Sequence, residues 1–242
     1  MTQTASELLE RRSVRVFSER PVSAEEKDII LRCACAAPTA GNQQLYTIID
    51  VTDQALKEQL VVTCDNQPFI ATAPLVLIFC ADCRKWYEAF REAGCNPRLP
   101  GPGDLLLAVS DANIAAQNAV TAAHSLGIES CYIGDVMENC ERQRELLKLP
   151  EYVFPAAMLV FGYPGEAVEK QRKPLRAPME YIVSENRYPE TDAEYYRGLL
   201  ANRWSDENYI SGIDAFCRRK YNSDFSVEMT RSVREYLKDF YE

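Results

Sequence analysis

Histidine is almost absent, with His124 alone in 242 residues. Any Ser-His-Asp or Cys-His machinery must therefore run through that one residue, and a metal site built of several histidines is excluded. His124 follows an apolar, helical run from Val120, where a packed or partner-facing role is expected. Glycine-rich phosphate loops are missing as well. No Gly-x-Gly-x-x-Gly follows a strand and no Gly-Lys-Ser/Thr occurs, so neither a Rossmann dinucleotide site nor a P-loop is supported, and side chains must hold any phosphate. Long apolar runs are lacking too: the longest, 73–81 and 156–161, fall short of the roughly 20 residues that span a bilayer. The first 20 residues carry Glu7, Glu10 and Glu19 among their arginines and contain no apolar core, which argues against a secretory signal and for a cytoplasmic address. Repeats and low-complexity tracts are absent, and with 10 Gly and 13 Pro the chain is neither collagen-like nor disordered.

What is present fits a globular chain able to bury a full core: 47% hydrophobic and 26% charged side chains. The formal charge of −9 repels phosphate backbones and sets nucleic acid aside as a partner. Nine cysteines, an odd number, are scattered along the chain, and in a reducing compartment they read mostly as small buried residues. Cys80 and Cys83 form one Cys-x-x-Cys pair with no second pair, so no metal is expected.

Elements alternate without a linker. Thr4 with Glu7 reads as a capping box opening a first helix, and Ser23 with Glu26 opens a second that ends before Pro38. Residues 13–20 form an extended link. Strands are expected at 45–51, 74–80, 129–133 and 156–161, with helices at 53–62, 104–126 and 140–147. The helix at 104–126 is apolar nearly all round, interrupted by Asp111, Asn113, Gln117, Asn118 and Thr121, which places it centrally in a core or an interface. Further helical patterns occupy 192–201 and 226–241, with a polar loop between them. The expected architecture is one α+β domain over 1–190 with a helical extension, 191–242, packed on it.

Four segments carry candidate chemistry. In the extended stretch 11–15, Arg11, Ser13 and Arg15 share one face while Val14 and Val16 share the other. Two guanidinium forks around a hydroxyl suit a phosphate, and a surface stretch paired with Glu7, Glu10 and Glu19 is the alternative. The loop 38–44 supplies small residues, backbone amides and side-chain amides. Gly134, after a strand, permits close approach of a ligand to backbone. Lys173 and Arg176 form a second basic pair, either an anion site or a solvated loop.

Taken in order, these segments resemble the flavin-dependent nitroreductase family, nearest the branch of NADPH-preferring, oxygen-insensitive nitroreductases and NAD(P)H-flavin oxidoreductases. The matching motifs are Arg-Arg-Ser-Val-Arg at 11–15, Pro-Thr-Ala-Gly-Asn at 38–42, Asn-Gln-Pro-Phe-Ile-Ala-Thr-Ala-Pro at 66–74 and Phe-Cys-Ala-Asp at 79–82. They continue with Ala-Gln-Asn-Ala at 116–119, Ser-Leu-Gly at 125–127, Tyr-Ile-Gly at 132–134, Leu-Leu-Lys-Leu-Pro at 146–150, Gly-Tyr-Pro at 162–164 and Lys-Pro-Leu-Arg-Ala-Pro at 173–178.

The resemblance implies an α+β fold with a mainly antiparallel sheet between helices, in an intertwined homodimer holding two FMN molecules at its interface. It implies that Arg11 and Ser13 hold the FMN phosphate with Lys173 or Arg176, that Arg12 supports the segment, and that Arg15 lies near flavin N1 and O2. Gln67 is then at the polar edge of the ring, Ile133 and Gly134 near N5, and Pro38, Thr39, Gly41 and Asn42 come from the partner subunit. Arg203, Arg218 and Arg219 are candidates for the nicotinamide nucleotide, with a solvated face as the alternative. The implied activity is ping-pong reduction of nitroaromatics, quinones or flavins by NADPH or NADH through FMN; a non-catalytic FMN carrier or redox sensor is the rival.

Overall fold

The sheet has two strands buried at every position. β1 (Tyr46–Asp50), β2 (Leu75–Asp82), β3 (Glu129–Ile133) and β4 (Val153–Gly162) run in the order β1-β2-β4-β3, every pairing antiparallel, so β2 and β4 are central. In the computed structural model, which describes residues 1–166 and 173–241, β4 starts three residues earlier than the expected 156. The register shifts between Phe79 and Cys80, opposite Ala157 and Pro155. That irregularity accommodates a proline, which has no N–H for the ladder, inside a central strand.

The helices follow their caps. α1 (Gln3–Glu10) is preceded by Thr2 as N-cap, without a side-chain cap bond, so the expected capping box at Thr4 does not form and Glu7 instead accepts from Gln3 Nε2 at 2.9 Å. In α2 (Ala24–Cys35) the box is complete: Glu26 N–H donates to Ser23 Oγ at 3.2 Å, and Ser23 N–H to Glu26 Oε2 at 2.8 Å. Asp53 caps α3 (Gln54–Thr63) through Ala55 N–H. The single turn α4 (Phe69–Thr72) precedes β2, and α5 (Arg84–Glu92), not anticipated, follows it.

The long α6 (Pro102–Ser125) begins two residues before the expected Asp104, because Pro102 takes the first turn and Asp104 accepts from Gly101 N–H at 2.8 Å. It packs against α2 and across the sheet. Its buried side chains are mostly alanines (Ala108, Ala112, Ala115, Ala116, Ala119, Ala122, Ala123), whose small size lets the helix lie close on the strands. At its end His124 Nδ1 lies 3.1 Å from Glu129 Oε1. α7 (Cys140–Leu147) joins β3 to β4.

The chain divides into two compact units, 1–170 with 228–242, and 171–227. The second therefore begins inside the stretch assigned to the main domain from sequence, and residues 170–172 of the basic segment lie outside the described ones. This unit holds α8 (Ala193–Leu200), capped by Asp192, and α9 (Tyr209–Lys220) where a polar loop was expected. α10 (Asp224–Leu237) belongs from Glu228 onward to the first unit, where the Tyr236 ring meets Phe154 edge-on at 5.1 Å. Among the described residues no helix is long and apolar enough to cross a membrane.

Candidate functional site

The basic segment is tied to the free side of β3 by its backbone. Ser13 bridges to Ser130, Val14 N–H donates to Ser130 O at 3.0 Å, and Phe17 then bridges to Pro164 in the opposite sense. Gly165 N–H donates to Val16 O at 3.0 Å and Ser18 N–H to Tyr163 O at 2.9 Å. Val14 is buried, as its alternation predicts, but Val16 is 48% exposed. The two bridges run in opposite senses, so residues 13–17 are not one continuous strand and the period of two is broken between them.

Arg11 and Arg12 are half-buried, Ser13 and Arg15 exposed. Arg11, Ser13 and Arg15 all interact with the Cys131 thiol on β3, which burial raises and these groups lower. Burial likewise pushes Tyr132 up to about 12, with the Arg11 charge opposing it. Arg15 stands over the Phe69 ring at 5.9 Å. Neither Arg11 nor Arg15 pairs with a carboxylate of the described residues: Glu7 accepts from Gln3, and Glu10 from Ser6 Oγ at 2.7 Å. Arg11 Nη1 is buried without a hydrogen-bond partner. A buried guanidinium N–H left unbonded is costly, and a bound anion satisfies it.

Gln67 comes to the C-terminal end of β3. Asp65 and Asn66 adopt positive φ (58° and 53°), turning the chain so that Gln67 Nε2 donates to Cys64 O and to Asp135 Oδ2, both at 2.9 Å. With its amino group so engaged, the amide oxygen is left to point elsewhere. Ile133 is buried beside this turn, and a side chain at Gly134 would meet only the tip of Met137, at 3.8 Å. Arg11, Ser13 and Arg15 thus lie along β3 beside Cys131, with Gln67 and the open backbone of Gly134 at its C-terminal end.

The loop 38–44 is built separately. Gly41 (φ 56°) and Asn42 (φ 56°) make its tight turn, Gln44 N–H donates to Thr39 Oγ1 at 3.2 Å, and Gln44 Nε2 to Asn42 Oδ1 at 2.7 Å. Asp111 of α6, 2% exposed, accepts from Ala40 N–H at 2.9 Å and Leu45 N–H at 3.2 Å, bracketing the loop that Pro38 opens. The sequence marked Asp111 only as a polar interruption, although an acid inside an alanine-rich helix is itself the signal. Asp135, Glu138 and Phe69 were not singled out.

Lys173, Arg176, Arg203, Arg218 and Arg219 lie in the second unit. There Arg203 and Arg219 stand over the Phe216 ring at 4.1 and 5.1 Å, Arg203 also over Trp204 at 5.0 Å, while Arg218 pairs with Asp214 at 2.5 Å. Asn202 Nδ2 donates to Arg176 O at 2.8 Å. Among the described residues no group of three or more His, Cys, Asp or Glu is arranged to hold a metal ion.

The sequence and the fold were compared with known proteins. Residues 8–163 match the profile of the Nitroreductase family. An oxygen-insensitive NADPH nitroreductase of Salmonella typhimurium is 36% identical over 221 residues, 85% of this chain and 89% of that protein. An FMN reductase (NADPH) of Bacillus subtilis is 32% identical over 224 residues, covering 86% and 90%. In three dimensions, the crystal structure of a putative oxidoreductase from Bacteroides fragilis superposes with a TM-score of 0.86 at 28% identity, covering 97% of this chain and 98% of the other. With the antiparallel sheet, its flanking helices and the motif at residues 11–15 all in place, the chain belongs to the nitroreductase family.

Proposed function

We infer that the chain is an FMN-dependent NAD(P)H oxidoreductase, reducing nitroaromatics, quinones or flavins in a ping-pong cycle. The observation that carries this reading is the buried, unpartnered Nη1 of Arg11, set beside Ser13 and Arg15 in a protein of net charge −9. An acidic chain that leaves a buried guanidinium nitrogen without a partner has a place for a phosphate. The names of its relatives, a nitroreductase and an FMN reductase, point the same way.

When bound, FMN supplies two-electron chemistry at its ring system, and NADPH or NADH supplies the electrons. The protein contributes position and charge. Arg11 and Ser13 would hold the phosphate, and Arg12 would brace the segment. Arg15 would supply a positive charge to stabilise the reduced ring system, Gln67 would offer its amide oxygen to the ring's polar edge, and Ile133 and Gly134 would line the ring. No residue here has to act as nucleophile or general base. Pro38, Thr39, Gly41 and Asn42 serve the cofactor of a second copy, and α6 leaves Leu106, Leu107 and Ile114 exposed on one side, an apolar face suited to a homodimer. Arg203 and Arg219, stacked on Phe216, suit the nucleotide phosphate better than Arg218, already paired with Asp214. The enzyme acts in the cytoplasm on small acceptors.

A non-catalytic carrier or sensor is not favoured, because the relatives are named as reductases; the buried Cys64, Cys80 and Cys83 thiols, pushed up to about 12, are not thiolates at neutral pH. The test is an anaerobic visible spectrum of FMN-supplemented protein before and after one equivalent of NADPH, with NADH in parallel. Rapid bleaching of bound flavin is expected; bound flavin that stays oxidised with both donors refutes the enzymatic reading.

A further inference from the structure

The Gly-Tyr-Pro motif at 162–164 takes no part in holding the cofactor, yet it lies against the segment that carries Arg11, Ser13 and Arg15. Tyr163 is 9% exposed, and its hydroxyl donates to Glu26 Oε1. The other oxygen of Glu26 serves the capping box of α2, accepting from Ser23 N–H at 2.8 Å. Arg20 completes the group: its guanidinium lies 3.6 Å from the centre of the Tyr163 ring, and its Nη2 lies 3.7 Å from Glu26 Oε1.

We propose that Glu26, Tyr163 and Arg20 form a latch that sets the position of the 11–18 segment, and that Tyr163 and Glu26 are thereby positioning residues for the phosphate of the cofactor. The latch stands on those contacts; its purpose rests on the FMN reading.

Elsewhere the segment is held unevenly. Near its start Val14 is buried and bonded to Ser130 of β3, part of the sheet. At its end the main-chain bonds of Val16 and Ser18 run to Gly165 and Tyr163, which lie past Gly162, the last residue of β4. Those bonds tie one loop to another. Phe17 packs onto Gly162, where a Cβ would lie 2.8 Å from its ring, but a ring on a glycine makes no directional bond. The Tyr163 hydroxyl supplies the direction. Through Glu26 it joins both loops to the first turn of α2, a 12-residue helix whose Ile30 and Ala34 are buried.

The bond is charge-assisted, and it shows on Glu26: the Tyr163 hydroxyl first, and the Ser23 amide second, hold its carboxyl below the usual glutamate range. Arg20 stacks on the same ring and brings the chain back to the same carboxylate, so residues 16–20 are held at both ends. A segment fixed in its binding geometry spares the ligand the cost of ordering it. That saving goes most to a ligand with a phosphate for Arg11 and Ser13. FMN gains it in full, and riboflavin, with the same ring and no phosphate, does not.

The experiment is equilibrium titration of FMN and of riboflavin, by flavin fluorescence, into the wild type, Tyr163→Phe, Glu26→Gln and the double variant. Amide exchange at Ser18 and Gly165 is followed in the flavin-free proteins. Glutamine is itself a capping-box residue, so Glu26→Gln keeps the start of α2. Each single variant is expected to weaken FMN about 10-fold and riboflavin less than about twofold, with faster exchange at both amides. The double variant should be little worse than either single one, since both remove one latch. Unchanged exchange in both single variants, or additive losses in the double, overturns the latch. Faster exchange with both flavins weakened alike, or with neither weakened, overturns the positioning role and leaves a structural tie. A wild type that binds neither flavin, or both equally, refutes the phosphate reading and the purpose of the latch with it, while amide exchange still decides the latch.

Discussion

Asp111 is the point at which one side chain governs a whole loop, the one proposed to serve a cofactor. It is 2% exposed, makes no ion pair among the described residues, and spends both carboxylate oxygens on backbone N–H groups, those of Ala40 and Leu45. Two effects oppose each other here. Burying a carboxylate costs free energy that a neutral side chain avoids. Losing an acceptor leaves a buried N–H unsatisfied, at about 1–3 kcal/mol each. Asp111→Asn separates them, because asparagine is nearly isosteric, keeps one acceptor and turns a donor toward the other N–H. If the loop bonds dominate, the variant loses about 2–3 kcal/mol, a substantial part of a typical stability of about 5–15 kcal/mol. For a chain of this size that is a fall of roughly 4–12 °C in Tm. Asp111→Ala, orphaning both N–H groups, should lose more still, about 2–6 kcal/mol. Urea unfolding gives both numbers, and FMN affinity should fall along with them. An Asp111→Asn protein as stable as the wild type, or more so, would show that desolvation dominates and that the loop is held by something else.

Other substitutions test separate parts of the argument. Arg11→Ala should weaken FMN binding by roughly 10- to 100-fold, the equivalent of about 1.5–3 kcal/mol for a charge-assisted bond, with Tm in the absence of FMN nearly unchanged; fluorescence titration reads it. A Cβ on Gly162 would lie 2.8 Å from Phe17 and Pro74 atoms, so Gly162→Ala should cost about 1–3 kcal/mol and loosen the 13–17 segment, visible as faster amide exchange at Val14 and Ser18. Arg231 holds Glu141 and Glu228 down to about 2, so its contribution is present above the usual glutamate range and disappears as pH falls toward 2; Arg231→Ala should lower the urea midpoint more at pH 7 than at pH 3. Arg219→Ala should raise KM for NADPH with kcat nearly unchanged, whereas Arg218→Ala, which breaks only an exposed pair with Asp214, should leave both alone.

Strands and long helices were legible because their signals are local. The β-branched and aromatic run before Asp50 and the apolar run after Pro74 became β1 and β2, and the Ser23/Glu26 box formed as written. Pro155 hid the start of β4, since only a partner strand with an irregular register makes room for it. α9 was hidden by Gly212, which lowers helix propensity yet sits where a side chain would collide with Trp204. The basic face of residues 11–15 could be read from alternation, but its docking on Ser130 could not, because that bond spans more than a hundred residues. Asp111 was illegible for the same reason: it acquires its meaning from groups far away in sequence.

Buried polarity in the larger unit has a common use. Asp111, in α6, holds the ends of the 38–44 loop. Gln143, fully buried in α7, donates to Thr63 Oγ1 at 3.1 Å, and Asn139 Nδ2 donates to Thr63 O at 3.0 Å, fixing the end of α3 from which the Gln67 turn departs. Ser232, in α10, accepts from Cys140 N–H at 2.9 Å and so steadies the start of α7 behind Glu138. In each case a side chain satisfies backbone or hydroxyl groups where a helix or loop begins or ends, and an apolar replacement would orphan the groups it holds. The side chains proposed to face the cofactor, such as Arg11 and Gln67, are left to the loops themselves. Substitutions should therefore fall into two kinds: loop residues whose loss changes binding while Tm holds, and anchors such as Asp111 and Gln143 whose loss lowers Tm and binding together.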